Sequence, residues 1–336
     1  MALLEVNNLE VSFGLRSGAV KALRDVNFTL ERGERIGVVG ESGAGKSVLG
    51  FSILNLIARP GAITGGEILF EGKNLSQLSP EGLRSVRGNR ISMIFQDPMM
   101  TLNPVLTIGE QMIECLLAHR KIRKEDARNI ALQKLKQVYI PSPETRLDQY
   151  PHELSGGMRQ RIVIAIGLLM DPDIIIADEP TTALDVTIQA EIMELMLELC
   201  ERNNVALILI THDLGVVSQV TQRTIVMYAG RIIEQGPTKE IINDAQHPYT
   251  QGLMNALPQM AVPGARLNQI RGAMPGLQHI PAGCAFSPRC DYTTEVCRHT
   301  LPGFTESGNC LVACHMVAEM KREAAQAASL AQEVKE

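Results

Sequence analysis

The chain has 336 residues, enough for about two domains, and its 45% hydrophobic and 21% charged residues are ordinary for a globular protein. A net charge of -5 weighs against a nucleic-acid-binding surface. No apolar run approaches the ~18 residues that a bilayer-spanning helix needs. Trp is absent and aromatics are only 4%, so the core must be built from Ile, Leu, Val and Met. Met1 to Glu10 carries acidic residues and no signal-peptide pattern, which predicts a cytoplasmic chain. In that reducing compartment, disulfides are a poor explanation for its cysteines.

Taken in order, Leu4, Val6, Leu9, Val11 and Phe13 alternate loosely and predict an edge strand. Val20 to Leu30 reads as a second strand, closed by a turn at Glu31-Arg32-Gly33-Glu34. Arg35 to Val39 reads as a short buried strand and Val48 to Ile57 as a helix. Gly65 to Gly72 is strand-like between glycine turns, so the early strands predict a small, mainly antiparallel sheet. From Thr107 to Val138 the pattern is helical and polar, interrupted by a charged turn at Lys121 to Lys124 and ended by Pro141 and Pro143. Ile162 to Met170 continues a helix that Pro172 stops; Asp173 to Ala177 is an apolar strand with an acidic exit. Val186 to Cys200 is helical and Val205 to Ile210 is another buried strand. Strands alternating with helices predict a parallel α/β core. After about residue 235 helical periodicity fades and Pro, Gly, His and Cys become frequent; Met316 to Glu336 reads as a solvated helix or frayed tail.

Between the strand at 35–39 and the following helix lies Gly40-Glu41-Ser42-Gly43-Ala44-Gly45-Lys46-Ser47, which fits the phosphate-binding pattern G-x-x-x-x-G-K-S/T. The glycines let the backbone curl so that successive N–H groups point at a triphosphate. Lys46 places a cation beside the β- and γ-phosphates, the Ser47 hydroxyl is a ligand for Mg²⁺, and the helix from Val48 directs its N-terminus at the phosphates. Such a loop needs a carboxylate at a neighbouring strand tip. Ile174-Ile175-Ile176-Ala177-Asp178-Glu179 supplies Asp178 for Mg²⁺ and, one residue on, Glu179 to polarise the attacking water.

Leu154-Ser155-Gly156-Gly157-Met158 lies between these two motifs and resembles the signature of the ATP-binding-cassette (ABC) ATPases, with Met158 where Gln is commonest. Physically, Ser155, Gly156 and Gly157 at a helix start form a second phosphate site. The resemblance implies that this site faces the phosphate loop of a second ATPase subunit, so that two ATP molecules are clamped between subunits. Gln96 resembles the loop glutamine that ligates Mg²⁺ and senses the permease; Asp185 resembles the acid of the loop crossing the dimer interface; His212 resembles the switch histidine contacting the γ-phosphate. Phe13 matches the aromatic that stacks on adenine, although an edge-strand Phe is as often plain core.

The runs Phe95 to Pro104, Ala177 to Asp185 and His247-Pro248-Tyr249-Thr250 resemble the dipeptide/oligopeptide importer branch over nearly the whole chain. The fold implied is α/β, a P-loop NTPase of ABC type. It would combine a parallel-sheet nucleotide core, an antiparallel β subdomain and a helical signature subdomain at about 105–170. The nucleotide-binding domain would cover 1–245, a cysteine-containing extension 246–318, and a tail 319–336. The implied activity is ATP hydrolysis driving peptide import. The implied partners are a second ATPase subunit in a heterodimer, two permeases and an extracytoplasmic binding protein, with this chain peripheral on the cytoplasmic face of the inner membrane. Nickel or an antimicrobial peptide as cargo, or a soluble ABC ATPase acting on nucleic acid or ribosomes, are the alternatives. The stretch from Asp97 to Gln111, with Met99, Met100 and Leu102, suits a pocket for a permease helix.

Five of the seven cysteines fall between Cys284 and Cys314. Cys284, Cys290, Cys297 and Cys314 are separated by five, six and sixteen residues, gaps that fit zinc knuckles poorly. A 4Fe–4S cluster accepts widely spaced thiolates, and the spacing resembles the cysteine set of the peptide-importer extension. Zinc and plain reduced thiols stay open, and Cys310 is a surplus thiol that could replace Cys314.

Overall fold

The computed structural model describes residues 2–16, 18–182, 184–256, 269–320 and 322. The chain begins with β1 (Leu4–Leu15), β2 (Gly18–Leu30), β3 (Arg35–Val39) and α1 (Lys46–Ile53). β4 (Gly61–Phe70), β5 (Lys73–Asn74), α2 (Pro80–Val86) and β6 (Ile91–Ile94) follow. A helical stretch holds α3 (Pro98–Thr101), α4 (Ile108–His119), α5 (Lys124–Gln137), α6 (Pro143–Arg146) and α7 (Gly156–Gly167). Next come β7 (Ile174–Asp178), α8 (Val186–Asn203), β8 (Ala206–Ile210), α9 (Leu214–Val220), β9 (Arg223–Tyr228) and β10 (Arg231–Pro237). The described part closes with α10 (Thr238–Asn243), α11 (Pro248–Asn255), α12 (Glu295–His299), β11 (Thr305–Ser307) and β12 (Cys310–Val312).

The strands form two sheets. The smaller is antiparallel in the order β2-β1-β4-β5. β1 therefore lies inside it, with Leu4 level with Leu30 on one side and Phe70 on the other, and is not the expected edge strand. Alternation reports which face of a strand is buried, and a half-buried central strand alternates as an edge strand does.

The larger sheet runs β11-β12-β10-β9-β3-β8-β7-β6. Its middle is parallel: β3 lies between β8 and β9, and β7 between β6 and β8. Every residue of β7 and β8 is buried, as their unbroken apolar runs require with both faces covered. Register brings Val38 of β3 and Asp178 of β7 level with Ile210 of β8. The carboxyl ends of three neighbouring strands thus open at one edge, where α/β sheets bind ligands.

The helical stretch has its own core, in which Ile108, Met112 and Leu116 of α4 share a cluster with Ala131 and Leu135 of α5 and Ile162 of α7. The start of α4 is fixed by a capping box. Thr107 Oγ1 accepts from Glu110 N at 3.2 Å, and Glu110 Oε2 accepts from Thr107 N at 2.8 Å.

The change of composition near residue 235 does not mark the end of the sheet. β12 pairs antiparallel with β10, Glu234 level with Val312 and Gln235 with Leu311. A third core cluster joins both regions through Tyr228, Tyr249 and Phe286, whose rings meet edge-on with centroids 4.7 to 5.4 Å apart. The tail expected at 319–336 lies almost wholly outside the described residues.

Candidate active site

The loop from Gly40 to Ser47 curls from the end of β3 into α1, and its glycines are needed where they stand. Gly40 (φ 152°) lies against the backbone of Met227, where an added Cβ would come within 2.4 Å of a carbonyl oxygen. Gly45 (φ 102°) forms the left-handed start of α1. Lys46 Nζ donates to the carbonyls of Gly40 at 2.8 Å and Glu41 at 3.1 Å. Burial lowers the lysine's pKa, an effect opposed by Glu179, Asp178 and Glu41. Ser47 Oγ donates to Asp178 Oδ1 at 3.1 Å, which joins the two expected Mg²⁺ ligands across the edge of the sheet. Burial raises the Asp178 carboxyl above its ordinary value against the lowering effect of that bond.

Glu179 is the meeting point. It sits one residue past β7 with φ 47°, a left-handed backbone that a non-glycine residue rarely takes. Its N–H donates to Ile210 O at 2.8 Å, which ties the turn to β8. Oε2 accepts from Gln96 Nε2 at 3.1 Å and from Thr182 Oγ1 at 2.9 Å. Oε1 stands 3.3 Å from His212 Nδ1. Residues expected from three separate motifs thus meet at one carboxylate. Strain of this kind is found where a structure holds a side chain in one functional position.

These groups face a cavity of about 680 Å³. Of the expected residues, Phe13, Glu41, Ser42, Gly43, Gly45, Lys46, Ser47, Val48, Gln96, Glu179 and His212 line it. Gly40 and Ala44 form the loop's backbone behind it. Phe13 is half-buried and lines the cavity while packing against the hydrophobic core, so the two readings of this ring are compatible. Ser155, Gly156, Gly157 and Asp185 are not among the lining residues. Ser155 caps α7 by accepting from Met158 N at 3.3 Å, and Asp185 caps α8 by accepting from Ile188 N at 3.1 Å. The two caps are neighbours: an added Cβ at Gly157 would meet the Ile188 side chain at 3.1 Å. Ser155, Gly156 and Asp185 are exposed, so the stretch expected to form a second phosphate site faces outward.

Several expectations need correction or extension. Leu102, expected to line a pocket for a permease helix, is 2% exposed and sits in the helical core; Met99 and Met100 are 43% and 85% exposed. All three side chains are apolar, but the turn of α3 points Leu102 inward. Thr182, Tyr249, Leu277 and Arg289 were not anticipated. Thr182 holds Glu179, Leu277 lines the cavity, and Tyr249 and Arg289 hold Glu41. The available signal was Glu41, an acid in a loop meant for a polyanion, which calls for a counter-charge.

Cys284, Cys290, Cys297 and Cys314 line one small cavity together with His247. Cys310 does not; it lies on β12 against Gly236 and Glu240, so it is no substitute for Cys314. Burial raises the Cys284, Cys290 and Cys314 thiols, with neighbouring thiols adding to the effect, and Cys314 reaches about 11. His247 is fully buried. Its Nδ1 accepts from Tyr249 N at 3.0 Å, which leaves the proton on Nε2, and Nε2 has no hydrogen-bond partner among the described residues. Among the described residues, no group of three or more His, Cys, Asp and Glu side chains is arranged to hold a metal ion.

A family model described as ABC transporter matches residues 23–182, and one described as Oligopeptide/dipeptide transporter, C-terminal region, matches residues 233–297. The chain is 53% identical over 303 residues to the dipeptide transport ATP-binding protein DppD of Bacillus subtilis, covering 90% of each chain. It is 46% identical over 312 residues to the oligopeptide transport ATP-binding protein OppD of Salmonella typhimurium, covering 93% of each. Among solved structures it resembles the dimeric ATP-binding cassette MJ0796 in a post-hydrolysis state bound to ADP and Pi. The TM-score is 0.63 and the identity 29%, over 70% of this chain and 98% of that one. With the phosphate loop, the strand-tip carboxylates and the signature helix in place, this chain belongs to the ABC ATPases, in their dipeptide/oligopeptide transporter branch.

Proposed function

We propose that this chain is the ATP-hydrolysing subunit of an importer of dipeptides or oligopeptides. The observation that carries the catalytic part is the convergence of Gln96, Thr182 and His212 on Glu179 beside the phosphate loop. Lys46 and the N–H groups of the loop bind the phosphates. Ser47, Asp178 and Gln96 are the residues that would hold Mg²⁺, which neutralises phosphate charge when bound. Glu179 takes the proton of the attacking water, and His212 fixes that carboxylate and faces the γ-phosphate. Phe13 offers its ring to the adenine. The peptide cargo is supported by the names of the relatives, which are dipeptide and oligopeptide transport ATP-binding proteins.

The exposed Ser155, Gly156 and Asp185, with the half-buried Gly157, suit a second cassette subunit, whose bound ATP they would meet across the interface. Among the described residues no helix is long and apolar enough to cross a membrane. In the transport reading this chain works with two permeases and an extracytoplasmic binding protein and sits on the cytoplasmic face of the inner membrane. Phosphate contacts that exist only while the γ-phosphate is present favour the closed pair, which gives the differential binding that transport needs.

For the extension we propose a 4Fe–4S cluster over zinc, on the gaps of five, six and sixteen residues between its cysteines. Four thiols, that of Cys297 buried and the other three half-buried, line one cavity, and the orphaned His247 N–H lines the same space. Cys284, Cys290, Cys297 and Cys314 would hold such a cluster and brace a segment that has few aromatics of its own. The transport reading is tested by reconstituting the complex in vesicles. Uptake of a labelled dipeptide that requires ATP supports it, and uptake indifferent to ATP overturns it.

A further inference from the structure

Glu41, the one acid in the phosphate loop, is held on three sides. Its N–H donates to Tyr249 Oη at 2.7 Å and its carbonyl accepts from Lys46 Nζ at 3.1 Å. Its carboxylate takes both terminal nitrogens of Arg289, at 2.6 and 3.0 Å. The Arg289 side chain is only 4% exposed. It is itself fixed by donating to the Arg271 carbonyl at 2.8 Å and to Tyr228 Oη at 3.3 Å. Two of Glu41's three holders therefore come from the segment beyond residue 245. The same segment passes along the loop's outer side: Leu277 lines the nucleotide cavity, and Met274 would lie 3.9 Å from a Cβ on Gly43.

Charge gives this contact a functional meaning. Glu41 lines the cavity that receives the polyphosphate, so an uncompensated carboxylate there repels the ligand. A bidentate guanidinium both neutralises that charge and fixes its direction. We propose that Arg289 is a positioning residue of the ATP site, anchoring and neutralising Glu41 so that the C-terminal segment sets the phosphate loop's affinity for ATP. This rests on reading the cavity as the ATP site; a wild-type chain that binds no ATP would refute that reading, whereas the variants below address only Arg289.

The test is ATP binding by the full chain carrying Arg289→Met, Glu41→Gln or both. Arg289→Met leaves a bare carboxylate facing the phosphates and weakens ATP about tenfold at low salt, and ADP less. The loss shrinks as ionic strength rises. Glu41→Gln changes affinity less than about threefold, and the double variant matches Glu41→Gln alone, because the charge that Arg289 neutralised is gone. In the assembled complex the KM for ATP rises while kcat changes less than about twofold. Arg289→Lys keeps the charge and loses the fork, and it holds ATP affinity within about threefold. A double variant that retains the full loss of Arg289→Met, a loss indifferent to salt, or a tenfold loss with Arg289→Lys overturns the proposal.

Discussion

Nδ1 of His212 stands 3.3 Å from Oε1 of Glu179, although the two residues leave different strands of the sheet. β8 delivers the histidine and β7 the carboxylate, and the register of Asp178 with Ile210 sets them side by side. The contact orients Glu179 from one side while Gln96 and Thr182 hold its other oxygen. His212→Ala should therefore lower kcat about 10- to 100-fold, less than the roughly 10²- to 10⁴-fold that a general base itself supplies. ATP affinity should stay within about threefold, because Lys46 and the loop carry binding. A large loss of affinity with kcat intact would place His212 in binding instead.

The exposed Met99 and Met100 and the buried Leu102 divide the segment after Gln96 into two faces. Cysteines at Met99 and Met100 should crosslink to a cytoplasmic loop of a permease, and a cysteine at Leu102 should not react in the folded chain. Crosslinks confined to other surfaces would remove this segment from the permease interface.

Asp173, just before β7, is bonded by Arg32 at 2.7 Å and by Arg90, and both arginines also reach Glu71 just past β4. The group ties the small antiparallel sheet to the core. Burial alone would raise the Asp173 carboxyl, but the bonds from Arg90 and Arg32 outweigh it and hold the pKa below its ordinary value. The folded chain thus binds fewer protons here than the unfolded one. This stabilisation is complete above the ordinary aspartate value of about 4 and is lost as pH falls through the lowered folded value. Because the arginines are partly exposed, Asp173→Asn should cost only about 1 kcal/mol at pH 7. It should also flatten the loss of stability below about pH 4. Denaturant melts at pH 7 and pH 3.5 measure both effects; an equal loss at the two pH values would contradict the assignment.

The four-thiol cavity makes a chemical prediction. Anaerobically purified protein should be brown, with a broad visible band and stoichiometric iron and sulfide. Removing Cys310 should leave the colour intact, because that thiol faces Glu240 and not the cavity. Colourless anaerobic protein with one zinc per chain would replace the cluster with a single ion.

The parts of the site that were legible in the sequence are local ones. A strand, a glycine loop and a helix adjoin in sequence at Arg35 to Ile53, so spacing alone reports their geometry, and the apolar run ending at Asp178 works the same way. The helices from Ile108 to Gln137 were readable from periodicity and proline breaks. What stayed hidden depends on pairing across long separations. β1 alternates whether or not it has two neighbours. β11 and β12 have only three residues each, too few for periodicity to show that they extend the main sheet. Leu102 reads like Met99 until the turn of α3 directs it inward. The bond between Glu41 and Arg289 spans 248 positions and leaves no local pattern.

The central claim is that Glu179 takes the proton of the attacking water at this site. Glu179→Gln keeps the shape and hydrogen-bonding reach of the side chain while removing its basicity. In the assembled complex, ATP hydrolysis should fall at least about 100-fold, with ATP binding within about threefold of the unmodified chain. Near-normal hydrolysis by Glu179→Gln, measured with binding intact, would contradict the account.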